Sequence, residues 1–191
     1  MSLATNLDRH MTYADYLTLP EDEQWELIEG VPCAMSPAPS RIHQKVSGRL
    51  FRQLDAFLEQ KNCEVYYAPF DVRLQHAEET EDQISTVVQP DLVVVCDPDK
   101  LDEKGCLGAP DLVIEIVSPS TASMDNIKKL ALYEKYGVRE YWIVHPVDQI
   151  VMVRYLEEKG GYGKAVIHDA TGIIAVRVLP GLMMKLDAVF L

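Results

Sequence analysis

At 191 residues, 48% hydrophobic and 25% charged, the chain is long enough to bury a core without staples and has the composition of one globular domain. No apolar run approaches the roughly 20 residues of a membrane span, and the first residues lack a signal-peptide core, so a cytoplasmic protein with no membrane contact is expected. The formal net charge of −12 argues against non-specific adhesion to nucleic acid, which relies on Lys and Arg, although acidic runs at 76–83 and 97–103 read as solvated loops that carry part of it.

Residues 12–18 read as a short helix. Trp25–Glu29, Gly30 and Val31–Met35 read as a hairpin with the glycine at its turn. Ser40 is a plausible N-cap for a helix over about 41–60. On a wheel at about 100° per residue, Ile42, Val46, Leu50, Leu54, Phe57 and Leu58 form its buried stripe, and Arg41, Lys45, Arg49 and Arg52 cluster on the opposite side, as a solvated face or a phosphate-contact surface. Strands follow at about 63–74, 88–96 and 111–118. A second helix at about 124–136 stops at Gly137, where glycine accepts a left-handed cap. Residues 141–145 are the next strand, and short strands alternate with turns beyond Pro146.

Residues 40–146 thus run helix, strand, strand, strand, helix, strand. The expected fold is α/β, an αβββαβ core on a mixed sheet, in a single domain spanning 1–191. The N-terminal hairpin and the C-terminal antiparallel strands extend that sheet or pack against it. Cys33, Cys63, Cys96 and Cys106 show no paired spacing, so reduced thiols are expected. Neither they nor the five histidines form the ligand pairs of a structural zinc site.

The chemistry concentrates in two strands. Gln89–Val95 and Asp111–Ser118 are apolar on both alternating faces, as in strands covered on both sides, yet each carries an internal carboxylate, Asp91 and Glu115. A carboxylate there is costly unless it meets a cation or is protonated, and two in neighbouring strands suggest a shared divalent metal. Carboxylates suit a hard cation, Mg²⁺ or Mn²⁺. Lys129 falls in the middle of the buried face formed by Leu130, Leu132, Tyr133 and Tyr136, while Lys128 and Lys135 point away. It either pairs with Asp125 four residues earlier or reaches the carboxylates of the strands. His43 lies in the buried stripe of its helix, as a satisfied core histidine or a site residue. Glu26 either adds a third carboxylate or faces solvent. Asp111 lies about 13 Å from Glu115 along the strand and reads as a turn cap.

These residues resemble the PD-(D/E)XK phosphodiesterase superfamily. Trp25–Gly30, the His43–Gln44 pair after a Pro/Ser-rich loop, Gln89–Val94, Ala109–Thr121 and Lys129–Val144 are similar to its Uma-two family of restriction-endonuclease-like proteins, with the likeness running from about Met11 to Leu182. The resemblance implies Asp91 and Glu115 as metal ligands, with Glu26 and His43 lining the pocket. Val117 stands where the superfamily pattern has its lysine, and the likeness implies that this role has moved to Lys129. The expectation is a Mg²⁺-dependent endonuclease acting on DNA, as a homodimer. The alternatives are a binding module that kept the fold without turnover, and a hydrolase of a small phosphodiester.

Overall fold

The computed structural model describes residues 10–20, 23–35, 38–76, 78–118 and 124–191, with side chains from residue 127 onward in the last segment. Helix α1 (Tyr13–Tyr16) precedes a hairpin of β1 (Trp25–Ile28) and β2 (Val31–Ala34). Helix α2 (Arg41–Leu58) follows, then β3 (Glu64–Tyr67), β4 (Val72–Arg73), β5 (Val87–Val88) and β6 (Leu92–Val95). Next come β7 (Leu101–Asp102), β8 (Gly105–Leu107) and β9 (Leu112–Ile116). A π-helical stretch, Met124–Lys129, continues as α3 (Leu130–Tyr136). The last elements are β10 (Glu140–His145), β11 (Ile150–Tyr155), β12 (Val166–His168), β13 (Ile173–Ala175), β14 (Met183–Lys185) and α4 (Asp187–Phe190).

The main sheet has the order β12-β11-β10-β9-β6-β3, with β9 and β10 parallel and the other neighbours antiparallel. Its strands are apolar on both sides because both sides are covered. Leu92, Val94, Leu112 and Ile114 face Val46, Leu50 and Leu54 of α2 and the C-terminal segment. Val93, Val95 and Val113 face Leu132 and Tyr133 of α3, together with Val72 and Val88. The mixed α/β class expected from the sequence is therefore the one observed. The hairpin, however, belongs to a second sheet, β2-β1-β5-β4-β8-β7, packed on the α3 side. Two expected strands are each split between the sheets: 63–74 breaks at the cis Ala68–Pro69 bond into β3 and β4, and 88–96 breaks before Pro90 into β5 and β6. At the C-terminus, β11 and β12 extend the main sheet, while β13 and β14 pair on their own.

Local signals locate the element ends. Ser40 Oγ accepts the His43 amide and caps α2. Gly30 (φ +79°) closes the hairpin, where an added Cβ would collide with the His10 ring, and Gly137 (φ +84°) ends α3 in the left-handed region.

Four expectations are corrected. Ile42 is 41% exposed, and only Val46, Leu50, Leu54 and Leu58 of the aliphatic stripe are buried. Arg49 does not simply face solvent, since its guanidinium donates to the Val189 carbonyl at 2.9 Å and ties α4 to α2. The acidic loops are not wholly solvated: Glu81 and Asp102 accept at 2.7 and 2.6 Å from the buried Arg73 guanidinium. Cys63 and Cys96 form a disulfide rather than two reduced thiols. They flank β3 and β6, whose register pairs Glu64 with Val95, so the next step out sets the cysteines face to face.

These packing differences have measurable consequences. Leu54→Ala, in the centre of the α2 contact, should cost about 2–5 kcal/mol of unfolding free energy. Ile42→Ala, on the same nominal stripe, should change it by no more than about 0.5 kcal/mol. Urea unfolding of both variants checks this, and equal losses would contradict the placement of the α2 N-terminus.

Candidate active site

A cavity of about 660 Å³ opens where β6 begins and β9 ends. The first turns of α2 form one wall, the β1–β2 hairpin another, and Tyr67–Pro69 a third, with Asp91, Glu115 and Lys129 deeper in. All five residues singled out from the sequence (Glu26, His43, Asp91, Glu115 and Lys129) line it.

Strand register positions the two central carboxylates. In the antiparallel β6–β9 pair Leu92 faces Ile114, and one step further sets Asp91 opposite Glu115. Directly opposed residues share a face of the sheet, with Cβ atoms about 4.5–5.5 Å apart. That face is the α3 side, since Val93 and Val113 point there. Asp91 is held by hydrogen bonds converging on Oδ2: the Ile116 amide donates at 2.7 Å, and His43 Nε2 lies at 3.2 Å. Its side chain keeps 22% of its surface exposed, whereas Glu115 is only 4% exposed.

Lys129 reaches the carboxylates of the strands, as one of its two expected arrangements requires. Its ammonium donates to Glu115 Oε1 at 3.0 Å and to Glu26 Oε1 at 2.9 Å, in a buried position. The alternative partner, Asp125, lies outside the described side chains. Lys128, one residue earlier, is exposed as the wheel requires. Glu26 is buried rather than solvent-facing, and its Oε1 also accepts the Gln89 amide at 3.0 Å. Asp111 is remote from this cluster. Rather than capping a local turn, it accepts the Cys96 amide beyond the end of β6 at 2.6 Å and pairs with Arg139.

Four further residues shape the site and were not singled out for it. Tyr133 reads from sequence as part of an apolar helix face, but its hydroxyl donates to Glu115 Oε1 at 2.7 Å. Burial, followed by the Glu115 charge, pushes the Tyr133 hydroxyl well above its ordinary pKa, so it remains a donor. Gln89 donates its side-chain amide to Asp71 Oδ1 at 2.8 Å, and Tyr16 OH donates to the same oxygen at 3.2 Å. Burial raises the Asp71 carboxyl, and the Gln89 and Tyr16 hydrogen bonds oppose that shift. The Gln89 main chain, anchored by this network, presents its amide to Glu26. The signal for it was the Gln-Pro step before Asp91.

The donor set suits a hard divalent cation. Three carboxylates against one ammonium leave two formal negative charges in a largely buried space, and every candidate carboxylate donor is oxygen. Among the described residues no group of three His, Cys, Asp or Glu side chains is disposed to hold a metal. Mg²⁺ does not need one, since it commonly takes one or two carboxylates and completes its shell with water and phosphate oxygens. Asp91 and Glu115 fit that requirement, with the Lys129 ammonium partly neutralising the carboxylates.

The comparisons with known proteins agree with this architecture. A curated protein of Synechocystis sp. (strain ATCC 27184 / PCC 6803 / Kazusa), described as the uncharacterized protein slr1290, is 22% identical over 168 residues, covering 88% of this chain and 84% of that protein. The crystal structure of a "putative nuclease" from Anabaena variabilis ATCC 29413 superposes with a TM-score of 0.75 at 20% identity, over 94% of this chain and 97% of the other. At that identity the likeness is one of fold, and it places the αβββαβ core among restriction-endonuclease-like architectures. A family model described as "Putative restriction endonuclease" matches residues 13–187, nearly the whole of both sheets, and the chain belongs to that family, Uma2.

Proposed function

We propose that the protein is a metal-dependent phosphodiesterase that hydrolyses nucleic-acid phosphodiester bonds. The observation carrying this reading is the pairing of Asp91 and Glu115 across adjacent strands, with Lys129 Nζ 3.0 Å from Glu115. Membership of a family described as "Putative restriction endonuclease" supports it.

Asp91 and Glu115 would hold one Mg²⁺ or Mn²⁺, which when bound lowers the pKa of an attacking water and polarises the phosphate. The chain's own residues do the rest. Asp91 is oriented by the Ile116 amide and His43, so its carboxylate presents a fixed direction to the cavity. Lys129, aligned by Glu26 and Glu115, supplies positive charge where the phosphoryl oxygens gain negative charge as water adds and the ester oxygen departs. His43 is the imidazole nearest Asp91 and is placed to carry a proton between water and the site. Tyr133 donates to the same Glu115 oxygen as Lys129 and helps to fix that carboxylate. The products are a phosphomonoester end and a free hydroxyl. DNA is the substrate proposed.

A binding module that retains the fold without turnover is the second reading, favoured by the net charge of −12.

Metal binding to the native state alone should raise the melting temperature. At a metal concentration about 100 times its Kd, the gain of about 2.7 kcal/mol corresponds to roughly 5–11 °C for a chain of this size. Asp91→Asn should remove most of that response to Mg²⁺ or Mn²⁺. A full response in the variant, read by differential scanning fluorimetry, would move the metal elsewhere.

The lysines separate enzyme from binding module. Lys129→Ala and Lys129→Gln should each lower kcat by about 10²–10³-fold on DNA at low salt, the scale of losing one transition-state donor. Both should keep the metal-induced melting shift, while Lys128→Ala should change neither. Equal losses at positions 128 and 129 would reduce the lysine's role to general electrostatics. A wild type that binds nucleic acid yet cuts nothing with Mg²⁺ or Mn²⁺ would establish the binding module.

A further inference from the structure

The wall of the cavity indicates which form of nucleic acid it accepts. Among the described residues that line it, Lys129 is the sole lysine or arginine, and it is engaged with Glu26 and Glu115 at the floor. A protein that grips a duplex neutralises phosphates with many Lys and Arg, because duplex DNA carries one charge per roughly 1.7 Å of axis. This cavity offers mostly neutral groups instead, among them Gln24, Ser40, Gln44 and Ser47. Its floor is also recessed, with Glu115 and Lys129 only 4% and 5% exposed. A phosphate within a stacked duplex cannot descend there without leaving the helix, whereas one in a flexible strand can. The volume of about 660 Å³ falls within the roughly 300–1,000 Å³ that encloses a drug-sized molecule, the scale of one nucleotide.

One residue on the rim is suited to hold a base. Tyr67 ends β3, the edge strand of the main sheet, and is 60% exposed. Its register partner is Leu92, adjacent to Asp91, and the next residue, Ala68, donates its amide to the Asp91 carbonyl at 3.2 Å. The ring is braced from the α2 side by Phe51, edge-on at 5.0 Å between centroids. Tyr67 lines the same cavity as Asp91, and an exposed, braced aromatic ring there is a stacking platform, since stacking holds single-stranded bases without the basic groove that this cavity lacks.

We infer that the substrate enters as a single-stranded or unpaired nucleic-acid segment, one base of which stacks on Tyr67 while the adjoining phosphate reaches Asp91, Glu115 and Lys129. The inference rests on the phosphodiesterase reading and narrows its substrate. Tyr67 is a substrate-positioning residue in this scheme. Its hydroxyl is dispensable and its ring is not.

The test compares wild type, Tyr67→Ala and Tyr67→Phe with Mn²⁺ at low salt. The substrates are oligo-dT, oligo-U, a blunt DNA duplex and a small phosphodiester that carries no base. Single strands should be cleaved at least about tenfold more efficiently than the duplex, with the oligo-dT and oligo-U arms distinguishing DNA from RNA. Tyr67→Ala should raise KM for the single strand by roughly 5- to 150-fold with kcat little changed, and Tyr67→Phe should stay near wild type. Turnover of the baseless ester should fall far less in Tyr67→Ala than that of the single strand. Duplex cleavage equal to single-strand cleavage, or an unchanged KM in Tyr67→Ala, overturns the inference while baseless turnover upholds the phosphodiesterase. If the wild type hydrolyses none of the four, the phosphodiesterase reading falls, and fluorescence anisotropy of labelled oligo-dT and oligo-U decides the inference. Single-strand binding lost in Tyr67→Ala and kept in Tyr67→Phe retains it; binding that is absent, or indifferent to Tyr67, overturns it.

Discussion

A lysine ammonium buried between two glutamates holds the site together. Lys129 arrives at the junction of the π-helical stretch and α3, Glu115 from the centre of the main sheet, and Glu26 from the hairpin of the second sheet. Three segments from distant parts of the chain therefore converge on one cation. None of the three charges is affordable alone in that environment, and removing one partner of such a cluster typically costs about 3–5 kcal/mol. The cluster thus couples the relative placement of the sheets to the geometry of the site. It leaves an excess of negative charge beside Asp91, the most solvent-accessible of the carboxylates in the central pair. On the proposed reading, stability and the attraction of a divalent cation have the same electrostatic origin.

A second set of contacts keeps this arrangement rigid. The Gln89 amide orients Glu26, and the Gln89 side chain is fixed by Asp71 and Tyr16, which links the N-terminal α1 to the cavity floor. Tyr133 donates to Glu115 and fixes it in turn. Each carboxylate near Lys129 therefore accepts a second hydrogen bond from a group that is not the lysine. Such outer contacts restrict rotamers, so that less ordering is needed when a ligand binds. Asp91 is tied to the main chain of β9 through the Ile116 amide, which makes its orientation a property of the sheet.

Some of this was legible in the sequence, for identifiable reasons. Asp91 and Glu115 stand out because a carboxylate inside a run of Val, Ile and Leu violates the burial pattern. Lys129 stands out because helical periodicity puts it among Leu132, Tyr133 and Tyr136. Ser40, Gly30 and Gly137 announce element ends through backbone chemistry that acts over a few residues. What escaped depends on long-range register. Whether Glu26 is buried depends on what a four-residue strand packs against, which its own alternation cannot state. Tyr133 counts as apolar in a periodicity pattern, and its hydroxyl gains a role only through Glu115, 18 residues away. The Cys63–Cys96 bridge spans 33 residues and follows from the β3–β6 register. The division into two sheets turns on breaks at Pro69 and before Pro90, where each apolar run reads as one continuous strand.

The central claim is that Asp91 and Glu115 together bind a divalent cation beside Lys129. Anomalous diffraction from a crystal soaked in Mn²⁺ tests it most directly. A single peak on the α3 side of β6 and β9, within roughly 2 Å of a carboxylate oxygen from each residue and with Lys129 retained nearby, is the predicted result. A Mn²⁺ ion bound elsewhere in the molecule while Asp91 and Glu115 remain bridged by protein groups alone would contradict it.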